Sequence, residues 1–263
     1  MQLAPAVHTI SLSLKRLPLV GILGWQDIRG RYRRSKIGPF WLTISMGVMI
    51  GSIGLVFGQI FRSPMADYLP FLAAGLIFWA FISGVINEGC MGFIDAEGII
   101  KQLPIPLFVH ILRVLWRNTL IFGHNILIFP LVLLAVGKPV TAHILLVIPG
   151  FLLAALMLSW VALFCAIICA RYRDLPNIVA SILQVAFYLT PIIWSPSLLP
   201  ERAAAMILQF NPFYHLLELL RAPLLGAWPE PLSWLVVAAI ALFGWVLTLG
   251  FFARYQHRVA YWL

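Results

Sequence analysis

Long apolar runs alternate with short polar breaks along the chain. Such runs cover residues 39–61, 69–87, 107–136, 144–170, 178–194 and 232–253. A hydrocarbon core about 30 Å thick is crossed by roughly 20 apolar residues in a helix. Backbone polar groups inside it must be paired within the segment, which favours helices. The pattern therefore predicts an all-α integral membrane protein with six transmembrane helices. The breaks at 62–68 and 137–143 are short turns. Those at 1–37, 88–106 and 171–177 are longer or more basic and read as cytoplasmic.

Segment 195–231 departs from this rhythm. It holds two apolar pieces, 201–210 and 213–227, parted by Asn211-Pro212. Each is too short to span, and together they predict a re-entrant helical hairpin on the external side between spans five and six. Glu218 and Arg221 are three apart and can pair on one helix face. This hairpin, with Asn211, Pro212, Glu218 and Arg221, is the expected external gate.

The spans carry few chemical handles. Gly47, Gly51, Gly54 and Gly58 share one face of the first span. Such a ridge lets backbones approach closely, within one subunit or between two. Arg113 and Arg117 open the third span and can snorkel to the cytoplasmic face. His124 lies deeper, as a packed, hydrogen-bonded residue or a functional one. Phe78, Trp79, Phe187, Tyr188 and Trp194 form an aromatic set that either lines a channel or packs. Loop 88–106 is the most polar stretch after the amino terminus. It carries Glu88, Asp95, Glu97 and Lys101, then Leu103-Pro104-Ile105-Pro106, whose prolines end one helix and start another.

Composition agrees with a membrane class. Hydrophobic residues make up 62% and charged residues 10%, and the mean hydropathy is +0.97. A soluble domain has roughly 25% charged residues. The net charge of +9 does not point to nucleic acid, because its distribution follows the membrane. Lys15, Arg16, Arg29, Arg31, Arg33, Arg34 and Lys36 precede the first span, and a basic flank is held in the cytoplasm. Fourteen of the 18 Lys and Arg fall on the segments assigned inside and four on those assigned outside. Both termini are thus expected in the cytoplasm. The amino terminus does not read as a cleavable signal, since its basic residues follow the weak apolar stretch. Cys90, Cys165 and Cys169 cannot form an even disulfide framework. Cys165 and Cys169 share a helix face, as small buried hydrophobes or a metal pair lacking further ligands.

The chain contains no G-x-x-x-x-G-K-[ST] loop; Gly137-Lys138 is followed by Pro139. It has no H-E-x-x-H or G-x-S-x-G motif. Its spans hold almost no carboxylates of the kind that ion-coupled carriers use. No cofactor or metal site is expected. A membrane-embedded glycosyl- or acyltransferase would have only Glu88, His124, His215 and Glu218 to work with. A transporter would need a partner to supply energy.

Several segments together resemble the ABC-2 type permeases that export polysaccharide. They are Arg31-Tyr32-Arg33-Arg34-Ser35-Lys36-Ile37-Gly38-Pro39-Phe40-Trp41, the Leu103–Pro106 loop, Arg173-Asp174-Leu175-Pro176-Asn177, Tyr188-Leu189-Thr190-Pro191-Ile192-Ile193-Trp194, and Asn211-Pro212-Phe213 with Arg221. The likeness is greatest to O-antigen (lipopolysaccharide) export permeases, with capsule and teichoic-acid permeases next. It implies a single transmembrane domain over 1–263 in a bacterial inner membrane, whose residues 1–37 form an amphipathic interfacial segment. It implies a homodimer with two copies of a separate ATPase, and lipid-linked polysaccharide as the cargo. Asp95, Glu97 and Lys101 would then lie in the helix that receives the ATPase motion. An ABC-2 exporter of a drug or lipid is the nearest alternative.

Overall fold

The computed structural model describes residues 3–32, 38 and 40–263. Residues 33–37 and Pro39, which carry much of the basic approach to the first span, lie outside the described residues. Helices follow one another in the order α1 (Ala4–Lys15), α2 (Leu17–Tyr32), α3 (Phe40–Ile60), α4 (Met65–Met91), α5 (Glu97–Gln102) and α6 (Phe108–Asn125). Then come α7 (Ile128–Val136), α8 (Val147–Arg171), α9 (Leu175–Leu189), α10 (Glu201–Gln209), α11 (Pro212–Leu224) and α12 (Pro231–Trp262). No strand occurs among the described residues.

Among the described residues, five stretches are long and apolar enough to cross a bilayer: α3, α4, α6 with α7, α8 with the 3-10 turn before it, and α12. The second runs past the expected 69–87 at both ends, so Glu88 is helical rather than part of a loop. The third is broken at Ile126 and Leu127. Pro130 explains the break, because a proline has no N–H to donate to the carbonyl four residues back, at Ile126. Gly137 then ends α7 in the left-handed region, at φ 70°, where a residue without Cβ fits best. The last helix continues beyond 253 to Trp262, carrying Arg254, His257 and Arg258 with it.

The fifth run differs most from expectation. Its helix α9 has 15 residues, about 22 Å at 1.5 Å per residue. It stops at Leu189, five residues before the expected end. Thr190 continues in extended backbone, so α9 alone is too short to be counted with the other spans. Pro191 cannot supply a helical N–H, which accounts for the stop.

α4 is the hub. Of its most apolar window 72% is buried, against 17% for α3. Residues 72–79 are buried without interruption. α8 packs closely on α4, with Gly89 facing Ala162. A Cβ on Gly89 would stand 2.8 Å from the Ala162 Cβ and 2.9 Å from its Cα. Gly89→Ala should therefore cost about 1–3 kcal/mol by forcing two backbones apart. Gly51→Ala should hold or raise the thermal midpoint in detergent, since nothing lies within 4 Å of its added carbon and alanine is the better helix former. Equal midpoints for the two variants would contradict this packing. The glycine ridge of α3 is divided accordingly. Gly54 and Gly58 are buried against Leu69 and Met65 of α4, whereas Gly47 and Gly51 face open space.

Candidate functional site

At one end of the bundle, polar groups from three helices converge. Asp27 of α2 accepts from Arg113 of α6 through Nε at 2.6 Å, and again through Nη2. Arg117 Nη1 donates to Asp27 Oδ2 at 3.0 Å. The same guanidinium reaches Glu88 of α4, Nε to Oε2 at 2.9 Å. Asn118 Nδ2 donates to Glu88 Oε2 at 2.6 Å and to Val114 O at 3.0 Å. The four charged side chains are 14–23% exposed. Arg113 and Arg117 therefore do not snorkel to water; they are the cations of a partly buried network that ties α2 and α4 to α6. Asp27 and Glu88 are its anions, and sequence reasoning assigned Asp27 no role. A signal was present. Asp27 is the first acidic residue of a basic amino-terminal segment, and Glu88 ends an otherwise acid-free stretch.

Beside this network lies α5. Lys101 Nζ donates to Glu97 Oε1 at 2.7 Å, and Arg173 Nη2 stands 4.0 Å from Glu97 Oε2. The hydrogen bond and charge of Lys101 lower the Glu97 carboxyl below its ordinary range. Asp95 precedes the helix, on the rim of a small cavity with His110, Arg113 and Arg117. Lost hydration raises its carboxyl, and the nearby Arg117 pulls it partly back. Of the three residues named for coupling, Glu97 and Lys101 are paired within α5, whereas Asp95 lies before it on the cavity rim.

At the opposite end of α4, α10 and α11 form a helical pair. Asn211 caps α11, its Oδ1 accepting from the backbone N–H of Phe213 and Tyr214. Its Nδ2 donates to Thr190 Oγ1 at 3.0 Å. Pro212 occupies the first helical position, where no N–H is needed. Arg221 is 1% exposed. It donates through Nη1 to Pro191 O at 2.6 Å, grips Glu218 with Nε and Nη2, and lies 4.1 Å from the centre of the Phe71 ring. Tyr68 OH donates to Ile193 O at 2.7 Å. Arg221 is therefore a buried clamp joining α11 to α4 and to the extended stretch after α9.

The aromatic set is split by the fold. Phe78 is fully buried against Phe122, and Trp79 packs between Phe187 and Phe213. Phe78 and Trp79 are thus packing residues inside this subunit rather than exposed linings. Tyr188 is 64% exposed, and its carbonyl accepts from Trp194 Nε1 at 3.0 Å.

The residues an embedded enzyme would use are scattered and engaged. His124 Nδ1 contacts Leu120 O at 2.7 Å. His215 is held between Ser233 Oγ and Gln209 O, each at 3.0 Å. Glu88 and Glu218 are paired with arginines. Cys90 sits against Cys165 and Cys169 at the α4–α8 contact. Among the described residues, no three His, Cys, Asp or Glu are grouped as metal ligands.

The described polar groups thus serve mainly to join the helices of a multi-pass, helical membrane protein. The ABC-2 type transporter family matches residues 18–225, and the chain belongs to that family. It is similar to proteins named O-antigen export system permease protein RfbA. For one from Klebsiella pneumoniae the identity is 22% over 251 residues, covering 92% of this chain and 93% of that protein. For one from Myxococcus xanthus it is 24% over 196 residues, covering 73% and 74%. A second from Klebsiella pneumoniae is 23% identical over 195 residues, covering 74% and 75%.

Proposed function

We propose that the chain is the transmembrane subunit of an ATP-driven exporter that moves lipid-linked polysaccharide of the O-antigen kind out of the cytoplasm. The observation that carries this reading is the likeness to an O-antigen export permease over nearly the whole of both chains. The missing nucleotide-binding loop supports a separate ATPase as energy source. In this reading two copies of the chain and two ATPase subunits assemble in the bacterial inner membrane, with both termini cytoplasmic, as the distribution of basic residues favours. The α10–α11 pair re-enters the external leaflet and gates the exit. Tyr188, Phe187 and Trp194 offer ring faces on which sugars stack. Deleting the protein should trap lipid-linked glycan inside the cell and strip it from the surface; unaltered surface glycan would overturn the assignment.

In the same reading α5 receives the ATPase motion through Asp95, Glu97 and Lys101. Glu97 and Lys101 are more than 40% exposed, so their mutual pairing adds little stability and both remain available to a partner. Neutralising both, as Glu97→Gln with Lys101→Gln, should leave ATP hydrolysis intact and abolish export. Export at the parental rate would remove these residues from the coupling path.

A further inference from the structure

Two apolar grooves flank the elbow where α1 meets α2 at 67°. The first, about 500 Å³, runs between α1, α6, α8 and α12 and is lined by Val7, Ile10, Leu14, Leu112, Leu156 and Trp245 among others. The second, about 320 Å³, lies between α2 and α6, with Leu17, Val20, Leu112, Leu115 and Trp116 on its walls. Leu112 and Leu115 border both, so the grooves adjoin. Leu14 is the last wall residue of α1 and Leu17 the first of α2. Between them stand Lys15 and Arg16, both exposed. No acidic residue precedes Asp27 in the sequence, and Asp27 is held by Arg113 and Arg117.

We propose that this elbow binds one anionic phospholipid, its phosphate on Lys15 and Arg16 and one acyl chain in each groove. Charge complementarity selects the headgroup, because two adjacent cations here have no anion of their own among the described residues. The groove walls select the tails. A peptide would bring backbone N–H and C=O groups into walls that offer almost nothing to pair with them, and each unpaired group costs free energy. Ser159, the polar residue of the larger groove, already donates to Leu156 O. Hydrocarbon chains have no such groups. Surrounding residues Val7, Leu14, Leu17 and Leu152 are each about half exposed or more, so the grooves open sideways onto an apolar belt from which a lipid can enter. The site is independent of the exported cargo.

The test is lipid binding to the full-length protein, read by native mass spectrometry after purification in detergent. Phosphatidylglycerol should bind more tightly than phosphatidylethanolamine. Lys15→Gln with Arg16→Gln should weaken phosphatidylglycerol about thirtyfold, at about 1 kcal/mol for each basic residue at an anionic headgroup, while Lys15→Arg with Arg16→Lys retains it. Ala155→Phe, which fills the larger groove, should also lower retention with the basic pair intact. Undiminished phosphatidylglycerol binding in the glutamine variant would overturn the proposal. So would displacement by inorganic phosphate alone, which would make this a free-anion site. Cross-linking of Leu14→Cys between two copies would also overturn it, by showing that a second copy covers the groove.

Discussion

Arg117→Met should loosen the amino-terminal helices from the bundle. One guanidinium serves both Asp27 of α2 and Glu88 of α4, which are 15% and 23% exposed; its loss leaves Asp27 on Arg113 alone and takes from Glu88 the arginine that links it to α2. Removing one partner of a buried pair costs about 3–5 kcal/mol; with this residual exposure and a remaining donor on each acid, we expect about 1–2 kcal/mol. The effect should be local. Ile28, on the same helix as Asp27, is 4% exposed, so a cysteine placed there should react slowly with a thiol reagent in the parent. It should react much faster when Arg117 is replaced. Arg117→Lys should give an intermediate rate, because an ammonium is a point charge without the fork that reaches two acids at once. Equal labelling in all three proteins would mean that apolar contact alone holds α2.

Arg221→Met should be the most damaging single change on the α10–α11 side. The buried guanidinium answers Pro191 O and Glu218 and sits over Phe71. Its loss takes the arginine from Glu218 and the donor from Pro191 O, and removes a desolvated cation–π contact worth about 2 kcal/mol. The summed cost is about 3 kcal/mol or more, visible as a lowered unfolding temperature in lipid nanodiscs. Arg221→Lys should recover less than half, since one ammonium cannot hold a bidentate pair, a carbonyl and a ring face together. Glu218→Gln should be milder, because Arg221 then keeps Pro191 and Phe71. A melting temperature unchanged by Arg221→Met would show that the clamp does not stabilise the fold.

The two arginine sites show what the sequence discloses and what it hides. Apolar run length is a local property, and it located the helices that fill most of the chain. Helix ends were less legible. The fifth run reads as one apolar stretch through 194, yet Pro191 stops α9, and the extended residues that follow are tolerated because Arg221 and Tyr68 pair their carbonyls. That compensation comes from residues 30 and 125 positions away, beyond any local pattern. Asp27, Glu88, Arg113 and Arg117 were each visible as isolated charges. Their partnership needed the fold, since 86 residues separate Asp27 from Arg113. The Glu218–Arg221 pair, three residues apart, could be anticipated. The clamp on Pro191 could not. Phe78 and Trp79 were hard for a related reason: an aromatic in an apolar span looks the same whether it faces a neighbour, a lipid or a passage.

The extended stretch after α9 has an electrical consequence. Backbone carbonyls that escape a helix inside a membrane are good ligands for sodium and potassium, and channels use rows of them for conduction. Here the oxygens of Tyr188, Thr190, Pro191 and Ile193 each accept from Trp194, the Ile192 N–H, Arg221 and Tyr68 respectively. One of those donors, Arg221, is itself held by the Glu218 carboxylate. Each of these four oxygens already has a donor within the subunit, which makes it a poorer ligand for a small cation than a bare carbonyl would be.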